Sequence, residues 1–436
     1  MNFYPLFFLG VVSLGWGMSL FRGPIWALVT YIFIYFNIPS HQWWGGQVPY
    51  LRWSLIAAIV MLLSSFIHSK KLTSEPWFWN KLGLLLLGFL VLMIVITPFT
   101  PDPARSWNRV YDFFRYVFVF FLINKIIVDF NGYRIVLTCF LFCTFYLSVL
   151  SRHYFQGSRL DGIGLVDASD ANMLAALVLL ILPLYVVFML TEKGWRRILP
   201  LIGFIMVTNM FIMCASRGAF VGFIVQCALA IFLLRGRIGI WKSLVACLLV
   251  VGCMYLLMSP QYKSRLFGLE KGLQSKSVNM GSISAGRTEI WQYGLRMFKD
   301  FPMGAGGGAF QAMSPRYIPD SLLSGGERAS HNTYLLVLVE QGIFGLLLFL
   351  YFLFCQFAIP VRLFNKLKLS KVPLKNKKPM YHLYAIIVGI AGFWSAAFFI
   401  DRLYFEGIYL VVALIPVLIR LLAEQVPAQR AMKLES

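Results

Sequence analysis

Three residues have the type and the setting to do chemistry: Arg217, Arg287 and His331. His331 lies in Ser330-His331-Asn332-Thr333, where a long polar stretch meets the mouth of an apolar segment, and Asn332 beside it adds a further polar group. An imidazole with an ordinary pKa of about 6.5 suits a general base near neutral pH, although an interfacial histidine also serves structure. Arg217 sits in Cys214-Ala215-Ser216-Arg217-Gly218-Ala219-Phe220, a tight break between two apolar runs. It reads either as an anion ligand or as a snorkelling anchor. Arg287, in Gly286-Arg287-Thr288-Glu289-Ile290-Trp291, is predicted at the start of an amphipathic helix running through Gln292 to Phe298. The helix dipole there would add to its charge, and a surface pair with Glu289 is the ordinary alternative. A planar guanidinium donates bidentate hydrogen bonds and does not titrate away, so arginines can hold a diphosphate without metal. Arg265, Arg316 and Arg328 are lesser candidates of the same kind, in a stretch from Ser259 to His331 that carries nine Lys/Arg against five acids.

Metal chemistry finds little support in the residues. No Asp-x-Asp occurs, and Asp161, Asp167 and Asp170 of one short loop would make a poor cation site. We expect no metal and no cofactor. Gly304-Ala305-Gly306-Gly307-Gly308 lacks the Lys-Ser/Thr of a nucleotide loop, and its glycines suit close approach of backbone to backbone or ligand, or a flexible turn. The seven cysteines all lie in apolar segments and read as packing residues.

The elements that must position these residues are membrane helices. Hydrophobic residues make up 59% of the chain, above the roughly 45–50% of a soluble globule. Apolar runs near 2–21, 24–39, 51–67, 82–99, 110–130, 133–150, 171–191, 198–215, 219–234, 241–258, 333–357, 381–400 and 404–422 show no alternation of period two, which excludes a barrel. The expectation is an all-α polytopic bundle of 12 or 13 helices, the first two runs being one helix or two. Three parts follow: an amino-terminal bundle 1–258, a polar subdomain 259–331 with short helices, and carboxy-terminal helices with a tail, 332–436. Lys/Arg concentrate in alternate connections, among them Lys70, Lys71, Arg134, Lys193 and Lys366, which makes those cytoplasmic and the polar stretch external, with the carboxy terminus inside. The net charge of +21 is thus topological, and with basic residues dispersed over short loops no nucleic-acid partner is expected.

Taken in order, Ser216-Arg217-Gly218, Gly286-Arg287 followed by Trp291, Pro302-x-Gly304-x-Gly306-x-Gly308-x-Phe310, and Ser330-His331-Asn332 followed by Gln341-Gly342-Ile343-Phe344-Gly345-Leu346 resemble the O-antigen ligase and polymerase superfamily. Arg22-Gly23-Pro24 and Trp43-Trp44-Gly45 further resemble the O-glycosylation ligases associated with exosortase systems. The resemblance implies a multi-pass glycosyltransferase of the bacterial inner membrane with a periplasmic site. It would take a glycan from undecaprenyl diphosphate and pass it to a hydroxyl of lipid A-core, a protein or another glycan. Under that resemblance Arg217 and Arg287 bind the diphosphate and His331 is catalytic, while Asn172 matches a polar residue at a helix start. Ligase and polymerase differ only in the acceptor. A lipid-linked oligosaccharide flippase is the alternative of another class, disfavoured because no repeat relates the two halves and the notable charges lie at helix ends or in the polar stretch.

Overall fold

The computed structural model describes residues 3–77, 79–157, 159–166, 168, 170–234, 239–258, 260, 262–263, 282–323, 326–370 and 374–425. Among these, every regular element is a helix. In chain order they are α1 (Phe3–Arg22), α2 (Pro24–Phe36), α3 (Trp53–Ile67), α4 (Lys81–Ile96), α5 (Pro103–Ile126), α6 (Phe130–Tyr154), α7 (Ala171–Thr191), α8 (Ile198–Met213), α9 (Arg217–Leu234), α10 (Ile240–Leu257), α11 (Ser282–Asp300), α12 (Ala309–Tyr317), α13 (Thr333–Ser370), α14 (Lys378–Ala396), α15 (Glu406–Val412) and α16 (Leu414–Ala423). Among the described residues eight helical stretches are long and apolar enough to cross a membrane, α15 and α16 together counting as one, with α3 and α9 as shorter apolar helices. The chain is an all-α multi-pass membrane protein.

Local sequence explains where the helices begin. Gly23, at φ 126°, and Pro24 at the first helical position separate α1 from α2, so the first forty residues form two helices. With 13 residues, α2 is only about 20 Å long, short of the roughly 30 Å of a hydrocarbon core, and it lies almost wholly buried. Asp102 accepts from the Arg105 N–H at 3.0 Å with Pro103 behind it, so α5 starts earlier than its apolar run suggests. Asp129 caps α6 in the same way through the Gly132 N–H at 2.7 Å.

Burial grades from the centre outward. The span Glu406–Ala423 is 89% buried and that of α14 72%, against 28% for α1, so α14 to α16 with α7 form the axis. Small residues let these helices touch: a Cβ on Gly222 would meet the Gly392 carbonyl oxygen at 2.4 Å, and one on Gly389 the Leu180 carbonyl oxygen at 2.7 Å. Gly222 therefore packs α9 on α14 within the chain.

Polar contacts between connections fall at the two ends of the bundle. At one end Lys71 bonds the Arg22 carbonyl, Glu192 pairs with Arg134 and Lys378, and Arg420 bonds the Asn124 carbonyl. At the other, Gln42 bonds the Gly164 carbonyl, Leu160 bonds Met213, Arg105 pairs with Glu327, and the 330–332 segment meets Asp401. The residues singled out for chemistry belong to this second end.

The glycine-rich segment is a built joint. Ala305 and Gly306 donate to the carbonyls of Val339 and Glu340 at 2.9 and 2.8 Å, and Ile343 donates to the Pro302 carbonyl at 3.1 Å. Between these bonds α13 breaks at Gly342, φ 67°. The glycines thus serve the close approach of backbone to backbone, and the half-helix after Asn332 is held in place at its far end.

Candidate functional site

His331 adopts φ 50°, a left-handed conformation uncommon for a residue with a side chain. Asp401 holds it there. The carboxylate accepts the His331 N–H at 3.1 Å and the Asn332 N–H at 2.9 Å, and it also accepts the Ser330 hydroxyl. Thr333 Oγ1 donates to the Ile400 carbonyl at 2.6 Å and accepts the Arg402 N–H at 2.8 Å, so the two connections are stitched residue by residue. Asn332 turns its side chain inward as the cap of α13, accepting from Tyr334 and Leu335 N–H at 3.0 and 3.1 Å. Its role is to start that helix.

Trp291 of α11 donates from its indole N–H to the Ser330 carbonyl at 3.1 Å, tying the arginine-bearing helix to the histidine turn. Arg287 lies one turn earlier on α11 than Trp291. The helix begins at Ser282, not at Arg287 as expected, because Gly286 inside a helix costs only about 1 kcal/mol and does not end it. The helix-start contribution to anion binding is therefore absent at Arg287, and its charge remains. That charge reaches His331. Burial pushes the imidazole below its ordinary value, Asp401 opposes this, and Arg287 and Arg328 push it lower again, with Asp170 raising it. The ring is thus neutral at neutral pH and able to take a proton.

Arg217 is exposed at the first position of α9, behind Ala215 at φ 47°. Ser216 caps that helix, accepting from the Ala219 N–H at 3.3 Å, and donates its hydroxyl to Asn172 Oδ1 at 2.8 Å. Asn172 thereby joins the starts of α7 and α9. Asp170 and Asp161 cap the start of α7, accepting from Asn172, Met173 and Ala171 N–H at 2.6, 3.0 and 2.8 Å. These two acids are thus committed to backbone, and Asp167 lies outside the described residues. No group of three or more His, Cys, Asp or Glu that could hold a metal occurs among the described residues.

The other candidates divide. Arg328 donates its N–H to Ser314 Oγ at 2.7 Å and keeps a buried Nε–H with no partner among the described residues, and its charge acts on His331. Arg316 is exposed on α12, where its charge acts on Tyr317. Arg265 lies outside the described residues.

Residues 201–350 match the family model for O-antigen ligase. This match supports a place for the segment in the O-antigen ligase superfamily. The matched region of the ligase-like fold runs from α8 to the first part of α13 and contains Arg217, Arg287 and His331. No curated protein matches the chain. Asp401 lies beyond that region, and the sequence reading missed its role. Its signal was an acidic–basic pair, Asp401-Arg402, in a short connection at the same end as His331. The packing of Phe398 on Trp291, ring centres 5.5 Å apart, and of Phe399 against Gly218 carries that connection across the cluster.

Proposed function

We propose that this O-antigen ligase-like protein transfers a glycan from undecaprenyl diphosphate to an acceptor hydroxyl, with inversion and without metal, at the periplasmic face of the bacterial inner membrane. The acceptor oxygen attacks the anomeric carbon, and its proton passes to the His331 imidazole. The bond from that carbon to the diphosphate oxygen breaks, and the diphosphate leaves with the bonding pair. Arg217 and Arg287 hold the diphosphate and stabilise the charge it gains.

The observation that carries this reading is His331 itself, clamped through its backbone by Asp401 and kept neutral by burial and by Arg287 and Arg328. A base must be deprotonated at the working pH, and the lowered pKa and the held backbone of His331 support that role. The orientation rests on charge. Lys70, Lys71, Lys193, Arg196 and Arg197 all belong to connections at the end opposite His331, which by the positive-inside rule faces the cytoplasm.

The test is transfer in vitro from a defined undecaprenyl-diphosphate oligosaccharide to lipid A-core, a peptide and a free oligosaccharide, with EDTA present throughout. Wild type should yield a product of inverted anomeric configuration, and His331→Ala should lose about 10²-fold or more in rate. Retention of configuration, loss of activity with EDTA, or full activity of the variant overturns the scheme. Movement of the lipid across vesicles without a new covalent product would favour a transporter.

A further inference from the structure

The end of the bundle opposite His331 holds a second charged cluster, and four elements build it. Glu192, at the end of α7, has a side chain only 6% exposed, and its Oε1 takes two cations, Arg134 of α6 at 2.9 Å and Lys378 of α14 at 3.5 Å. Arg197, in the turn Gly194–Arg197 that leads into α8, donates its Nε–H to the Glu192 carbonyl. Lys193 and Arg196 stand beside it in sequence, both exposed. With Asp129, the cap of α6, the acids number two against these five cations. Positive charge is therefore in excess. Arg134 remains 31% exposed, and its Nε–H is buried with no partner among the described residues, so part of its hydrogen-bonding fork is unspent.

Depth and surroundings say what fits there. Arg134 is the fifth residue of α6, about 6 Å from its start, Lys378 is the first of α14, and Arg197 immediately precedes α8. The cations thus lie where the helices leave the hydrocarbon core, at the level of phospholipid phosphates. Trp195, 69% exposed in the same turn, suits that interfacial level. From the turn an apolar face runs along α8, on which Ile198, Leu201, Ile202 and Ile205 are exposed and recur at three and four residues as one stripe. A ligand with an anionic head and apolar chains matches both the cluster and the stripe. A soluble phosphate matches only the cluster.

We propose that Arg134, Arg197 and Lys378 bind the phosphate of an anionic phospholipid in the leaflet at this end, with its chains along α8. The phosphate supplies negative charge that Glu192 alone does not, and it ties together the ends of α6, α7, α8 and α14. The site does not depend on the transfer reading. The experiment titrates the full chain, purified in detergent, with phosphatidylglycerol, with phosphatidylcholine of the same chains and with inorganic phosphate. Melting temperature is followed, and retained lipid is read by native mass spectrometry. Phosphatidylglycerol should raise the melting temperature saturably and stay bound, phosphatidylcholine should need about tenfold more or greater, and inorganic phosphate should have no effect. In Arg134→Gln and Lys378→Gln the half-saturating phosphatidylglycerol concentration should rise about fivefold or more, as expected for one cation lost at a headgroup. Lys70→Gln, which removes a cation of the same end outside the cluster, should leave it within about twofold. Glu192→Gln removes the carboxylate that competes for the same cations, so headgroup affinity should rise, a gain that a purely structural ion cluster would not show. If Arg134→Gln does not fold, Lys378→Gln and Glu192→Gln decide. Equal response to the two phospholipids, stabilisation by inorganic phosphate alone, or unchanged phosphatidylglycerol affinity in these variants overturns the proposal.

Discussion

His331 and Asp401 form a unit in which charge and backbone geometry act together. The imidazole must be neutral to accept a proton, and its pKa lies below the ordinary value. Activity should therefore be full at neutral pH and fall on acidification, with a midpoint below about 6.5. The direction of change in variants follows from the sign of each charge. Arg287→Ala removes a cation that disfavours the imidazolium, so the acid limb moves to higher pH. Asp401→Asn removes the anion that favours it and moves the limb lower, while loosening the grip on the two N–H groups lowers kcat. A pH–rate profile of the three proteins checks this, and shifts in the same direction for both variants would contradict it. The histidine and both arginines could be singled out as candidates in the sequence, His331 and Arg217 because each stands where polar and apolar stretches meet and Arg287 because it opens an amphipathic stretch. Asp401 was not, since pairing across the 70 positions from His331 leaves no local pattern.

Joints between elements depend on glycines that sequence alone could read as flexible. A Cβ on Gly306 would lie 2.3 Å from Ser106 Oγ at φ 92°, and one on Gly342 would lie 2.3 Å from the Met303 carbonyl carbon at φ 67°. Strain at such dihedrals costs about 1–3 kcal/mol before the clash is counted. Gly306→Ala and Gly342→Ala should each lower the melting temperature in detergent by several degrees. Gly88→Ala, where the nearest atom is the Leu348 Cδ2 at 3.9 Å, should leave it unchanged or raise it, since alanine favours helix. Equal behaviour of the three variants would mean that the joint is slack. The start of α5 shows the limit of hydropathy as a guide. Its first turns carry Arg105, Arg109 and Asp112, so an apolar window places the helix start too late, although the Asp102-Pro103 cap signal was present.

For the molecule as a whole, the two ends of the bundle differ in charge and in role. With the His331 end in the periplasm, Asp320→Cys should react with an impermeant maleimide added to intact cells, and Lys70→Cys only after the membrane is opened. The native cysteines among the described residues lie in helices, except Cys214, which is buried at the carboxy-terminal cap of α8. The reverse labelling would put the site in the cytoplasm and remove the basis for an undecaprenyl-diphosphate donor at that face. Helix separation was well marked in the sequence, because a span must be apolar for its length. The division of the first forty residues into α1 and α2 needed the structure, since Arg22-Gly23-Pro24 permits either a kink or a break.

The sequence by itself determined the class of the protein, membrane helices from hydropathy, and gave an expected orientation from the Lys/Arg of the connections and Arg217, Arg287 and His331 as candidates. These are local properties, decided within one helix length by burial and by the cost of charge in lipid. Tertiary structure alone decided which connections meet. It brought Asp401 under His331, Asn172 to Ser216, and Arg109 to Tyr404, three contacts that join different helix ends. Each depends on how helices cross at glycines such as Gly222 and Gly389, where the fit of one surface to another sets the register. A span is chosen by its own composition, and a site at the bundle's end by the packing of all of them.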